Sequence, residues 1–159
     1  MLLWFVGLAV VLVWVVFQSP ALDVRFVAAG AVLPLLDVLT GGPWVLHTLL
    51  GSVGLLVVVM LATRERRLLR RQLLGLPIGT FFHLVLDGAW TRSELFWWPF
   101  LGGRAFDGPL LESDRPAVLL VAMEAAGGLA LWWAWRAFGL ADPVRRRELQ
   151  RSGRLRPRT

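Results

Sequence analysis

The chain has 159 residues, 57% of them hydrophobic and 18% charged, with a mean hydropathy of +0.63 and a net charge of +6. A soluble domain of this length carries fewer apolar residues and more charge, so that class is excluded, and the absence of cysteine excludes disulfides and thiolate metal sites. The apolar residues fall in runs close to the roughly 17 to 25 residues that cross a bilayer, which predicts an all-α fold, an integral membrane helical bundle of about five transmembrane helices.

The first apolar segment is Leu2 to Phe17, ended by Gln18-Ser19-Pro20. It lacks the basic start of a signal peptide, and Ser19-Pro20-Ala21 is a poor cleavage site, so a retained helix is expected. The second segment runs from about Ala21 to Leu39 and is weakened by Asp23, Arg25 and Pro34. The third is His47 to Thr63 and the fourth Leu73 to about Trp90. A loop rich in tryptophan and glycine separates the fourth from the fifth, Pro116 to Phe138. Residues 1–142 are thus one transmembrane domain, and residues 143–159 a basic cytoplasmic tail expected to be partly frayed.

All seventeen basic residues are arginine, and twelve fall in two blocks, 64–71 and 145–158, each directly after an apolar span. Such blocks mark the cytoplasmic side and meet membrane lipids through anionic headgroups; nucleic acid is not expected as a partner, because no stripe runs along a soluble face. With both blocks inside, the amino terminus and the turn TGGP (40–43) lie outside. Trp44, Trp90, Trp97 and Trp98 then fall at the outer boundary and Trp132, Trp133 and Trp135 near the inner one, as aromatic belts do.

Against this layout a few polar residues stand out, since a charge at a bilayer centre costs about 2.5–3.5 kcal/mol. His83 and Asp87 are four apart and share one helix face, about two turns and one turn inside the outer boundary. Glu124 reaches a similar depth on the fifth span, His47 opens the third, and Asp37 closes the second. Two imidazoles with two or three carboxylates suit zinc or another divalent transition metal. An ion there lowers the pKa of bound water to about 7, which is the chemistry of hydrolysis. On this reading Asp37, His47, His83 and Asp87 are metal ligands and Glu124 is a catalytic base or a further ligand. Small residues after Glu124, from Ala125 to Gly128, allow the fifth helix to approach closely.

Two other readings of the cluster stand beside this one. A buried His–Asp pair at HxxxD spacing also serves as a tertiary lock. A proton relay needs a continuing acidic chain, and the inner half offers Asp23 alone. Asp23 with Arg25 reads as an interfacial pair, and Arg92, Glu94, Arg104, Asp107, Glu112, Asp114 and Arg115 as solvated charges of the outer loop. Gly-rich phosphate loops, a Gly-x-Ser-x-Gly elbow and an HExxH helix are missing from the sequence.

The stretch HLVLDGAWTRSELFWWPF (83–100) resembles a signature of the bacterial membrane-bound metal-dependent hydrolases, the LexA-binding, inner-membrane-associated hydrolase family. His83, Leu84, Leu86, Asp87, Thr91, Trp98, Pro99 and Phe100 carry the likeness. A second element resembles LPLLD (33–37) with LHTLL (46–50): Pro34, Asp37 and His47 match, and Thr48 stands for a serine. Leu35 replaces the first aspartate of that element, and a histidine usual in the loop is missing between Thr40 and Trp44. The resemblance implies a multi-helix protein of the bacterial inner membrane, a divalent metal and a hydrolase whose ligand set is thinner than the family's. A more distant likeness, to zinc-dependent phospholipase C through HxxxD, implies phosphoester substrates, and the expected function is metal-dependent hydrolysis of such an ester or of a lipid.

Overall fold

The computed structural model describes residues 1–19, 22–40, 42–101, 106 and 115–155, and among them the chain is all-helical, without strands. Arg104, Asp107, Glu112 and Asp114 lie outside the described residues.

Helix α1 spans Leu2–Phe17, the whole first apolar segment. It ends where Gln18 adopts the left-handed conformation (φ 44°). The second segment divides. Asp23 caps α2, Val24–Val32, by accepting from the Arg25 N–H, and a 3-10 stretch, Leu33–Thr40, completes it. Pro34 explains the change: it has no N–H to return to the preceding turn, so the α-helical ladder cannot continue through it. A second 3-10 turn, Val45–His47, leads into α3, Leu49–Ala62, capped by the Thr48 hydroxyl on the Gly51 N–H at 2.9 Å.

The first arginine block is helical, as α4, Arg67–Leu73. Helix α5, Gly75–Asp87, follows and stops at Gly88, whose φ of +77° is the left-handed cap only glycine adopts without strain. A 3-10 turn, Ala89–Thr91, and the short α6, Ser93–Phe96, follow. Helix α7 spans Ala117–Ala137. Over residues 143–155 the tail departs from the expected fraying, while 156–159 lie outside the described residues. Asp142 caps α8, Pro143–Ser152, with Pro143 in the first turn, and Gly153 (φ +66°) closes it. Leu155, just beyond, is buried against Val10, Ala134 and Phe138.

The contacts fix the direction of each segment. Helices α2 and α5 run parallel: Gly75 lies against Asp23, Gly79 against Val27 and Ala31, and His83 against Ala31. Helix α3 opposes them, since Ser52 meets Pro77 while His47 meets His83. Helix α1 also opposes α5, through Phe5 on His83 and Trp4 on Leu86. Helix α7 runs with α1, with Gly127 at Leu3 and Phe138 at Trp14. Successive long segments therefore alternate in direction.

Two seams are glycine-lined. A Cβ on Gly79 would run into the Val27 carbonyl, and one on Gly127 into the backbone of Leu3. The missing side chains let the two backbones of each seam approach closely.

Helix α7, at 21 residues, is long and apolar enough to cross a membrane. Helices α1 and α3 are apolar but shorter, at 16 and 14 residues.

Candidate metal centre

Four residues expected to act together lie together. Asp37, His47, His83 and Asp87 each expose 3% or less of their surface. His47, His83 and Asp87 form the inner group: one potential ligand atom from each lies within 4.8 Å of the others. Two elements supply them: the 3-10 turn before α3 gives His47, and successive turns of α5 give His83 and Asp87.

Each imidazole is held by its Nδ1. The His83 Nδ1–H donates to the Ala31 carbonyl at 2.7 Å. A carbonyl only accepts, so the proton is on Nδ1 and the Nε2 lone pair is presented. That Nε2 is buried and has no hydrogen-bond partner. His47 Nδ1 lies 2.8 Å from Asp37 Oδ2, the carboxylate arrangement that orients a ligand histidine from behind. The same Asp37 oxygen accepts the Trp44 N–H at 2.9 Å, which ties the loop before His47 to the 3-10 stretch. Asp37 thus stands one bond behind the inner group and acts on it through His47.

The walls are aromatic and cationic. Phe5 stacks on His83 with ring centroids 3.8 Å apart, and the two imidazoles meet edge to face at 5.4 Å. Arg115, just ahead of α7, places a guanidinium nitrogen 3.2 Å from Asp87 Oδ1 and also donates to the Asp87 backbone carbonyl.

Glu124 is placed differently from the four. Its carboxylate lies 3.2 Å from the Met1 ammonium and accepts the Leu3 N–H at 2.8 Å. It is linked to the cluster through Met1, whose sulfur contacts Arg115. The small residues after Glu124 do allow a close approach, but the partner is α1, at Leu3 and Gly7.

The donor set fits a divalent transition ion. It offers two tautomer-fixed imidazole nitrogens and a carboxylate, with a carboxylate behind one imidazole. An orphaned, buried imidazole nitrogen is otherwise costly, by about 1–3 kcal/mol. Sequence reasoning missed Arg115, which it left among the loop charges, and the Ala31 carbonyl and Phe5, which no residue-type signal marks.

No family model, curated protein or solved structure matches the chain. The likeness to the membrane-bound hydrolases therefore rests on the motif residues alone.

Proposed function

We propose that the chain is a five-span protein of the bacterial cytoplasmic membrane, with its basic tail inside, and that it is a metal-dependent hydrolase. Three observations support the membrane placement. The long segments alternate in direction. The outside of the bundle is apolar, with Val58, Leu61, Val118, Val121 and Leu129 each 60% or more exposed, while Asp23, Asp37, Thr80, His83 and Asp87 are buried. That polarity is the reverse of a protein folded in water. Exposed tryptophans also gather near both ends: Trp44 and Trp90 at the candidate centre, and Trp132, Trp133 and Trp135 at the far end of α7. The arginines of α4 and α8 suit anionic lipid headgroups.

In this reading His47, His83 and Asp87 hold a divalent ion, zinc foremost, and Asp37 keeps His47 oriented. The ion, when bound, supplies Lewis acidity toward a water or an ester oxygen. The protein's own part is to present two Nε2 lone pairs, exclude bulk water with Phe5, and keep the cluster near the outer surface. The substrate class is a membrane-proximal ester, a phosphoester or a lipid. The single observation that carries the reading is the buried His83 Nε2, which lacks a partner beside a second imidazole and a carboxylate.

The test is metal content. Wild-type protein equilibrated with zinc is expected to retain about one equivalent after desalting, and H83A to lose it. A wild-type protein that retains none would sink the proposal.

A second reading, a structural lock or vestigial site, is favoured by the Asp87–Arg115 pair and the Phe5–His83 stack, which need no ion. Under that reading H83A lowers the melting temperature of metal-free protein. Under the first, H83A also melts below metal-free wild type, since it loses the Ala31 bond and the Phe5 stack, but zinc raises the wild type alone, whereas under the second zinc raises neither.

A further inference from the structure

The metal reading leaves one cation at the site without a role. Arg115 precedes α7 and reaches across to Asp87, 3.2 Å from Oδ1. Its other terminal nitrogen contacts the Met1 sulfur at 3.8 Å, a weak acceptor. The side chain keeps 18% of its surface exposed, whereas Asp87 keeps 2%. Arg115 is thus the border between the buried trio and the outside.

Charge decides what such a border attracts. A divalent ion among His47, His83 and Asp87 would be matched by the carboxylates of Asp37 and Asp87. The Met1 ammonium is already matched by Glu124 at 3.2 Å. Among the charges that the described residues bring to the site, the Arg115 guanidinium then adds one positive charge at the edge of an apolar bundle, and such a charge favours an anion beside it. A guanidinium presents a planar fork that grips two oxygens of one group, and an ion's open side takes a third. A phosphate group offers all three.

We propose that Arg115, together with the ion-holding trio of His47, His83 and Asp87, forms a receptor for a phosphate oxyanion, either free phosphate or the phosphomonoester of a lipid headgroup. The inference rests on the metal reading above and names the ligand of the same site.

The test uses full-length protein in phosphatidylcholine nanodiscs, loaded with cobalt, whose visible bands report changes in its ligands. Orthophosphate is expected to shift those bands saturably. R115Q is expected to keep its cobalt and to bind orthophosphate at least about tenfold more weakly, with R115K in between because it keeps the charge but loses the fork. Nanodiscs containing phosphatidic acid separate the two sources. A shift without added orthophosphate identifies the headgroup, and a shift only on adding orthophosphate identifies a soluble ligand. A wild-type cobalt spectrum that ignores both, or an R115Q protein that takes phosphate like wild type, overturns the proposal and leaves the metal reading standing. If R115Q does not fold, R115K decides: phosphate binding equal to wild type overturns the proposal. A wild-type protein that takes no cobalt removes both readings together.

Discussion

Asp37 and His47 are joined by a 2.8 Å contact between a carboxylate oxygen and Nδ1, with both side chains almost fully buried. The carboxylate fixes which nitrogen of His47 carries the proton and therefore which one faces His83 and Asp87.

That relationship separates a ligand from its support. D37N should weaken zinc binding by about 10–100-fold, the usual cost of losing an orienting carboxylate, while H47A should abolish it. Competition against a chromophoric chelator measures both. If the two variants lose zinc equally, Asp37 is itself a ligand.

The seam between α2 and α5 carries the His83 anchor, and its glycines have no room to grow. G79V forces a side chain into the Val27 carbonyl. It should cost about 1–3 kcal/mol of stability and weaken zinc binding as well, because His83 and Ala31 move apart. Gly54, whose added Cβ meets nothing, is the control. G54A on α3 should be neutral or stabilising by up to about 1 kcal/mol. Thermal melts in detergent read the pair, and a G79V protein as stable as G54A would contradict this packing.

The chain has no cysteine, which makes its sidedness simple to measure. W90C should react with an impermeant maleimide added outside intact cells, and E65C only after the cells are opened. Both positions are exposed, so access is decided by the membrane. Labelling of both from one side would rule out the five-span arrangement.

The tail is latched to the base of α2. The Asp23 carboxylate pairs with Arg25 at 2.6 Å and abuts Gly153, while the Val24 N–H donates to the Gly153 carbonyl at 2.8 Å. D23A removes the α2 cap at a cost of about 1 kcal/mol and should free α8. Limited trypsin digestion ought then to cut after Arg151 well before the helical body is attacked. Unchanged cleavage would mean that the Val24–Gly153 backbone bond, the Arg25–Gln150 bond and buried Leu155 hold the tail without the Asp23 carboxylate.

Much of the fold was legible because its signals are local. The limits of α1, α3 and α7 fall within two residues of the apolar runs, since Gln18, Thr48 and Pro116 end or begin those helices. The second segment was harder: its hydropathy reads as one span, but Pro34 divides it into α-helix and 3-10 stretch. The order of residues 143–155 was not legible because arginine content signals solvation, whereas the Asp142 cap, Pro143, Gly153 and the buried Leu155 order them. At the site, topology and HxxxD spacing marked the four residues, but not their arrangement. A backbone carbonyl has no letter in the sequence, so the Ala31 anchor could not be read. Arg115 resembled any loop charge until the fold carried it to Asp87.

One consequence concerns the order of synthesis. His47, His83 and Asp87, with Phe5, Ala31 and Asp37 that brace them, all precede Gly88, whereas Arg115 arrives later with α7. A nascent chain leaving the ribosome amino end first has every donor atom in hand before its last helix is made. On the proposed metal reading, cation capture comes early in biogenesis, and Arg115 closes over a centre already assembled.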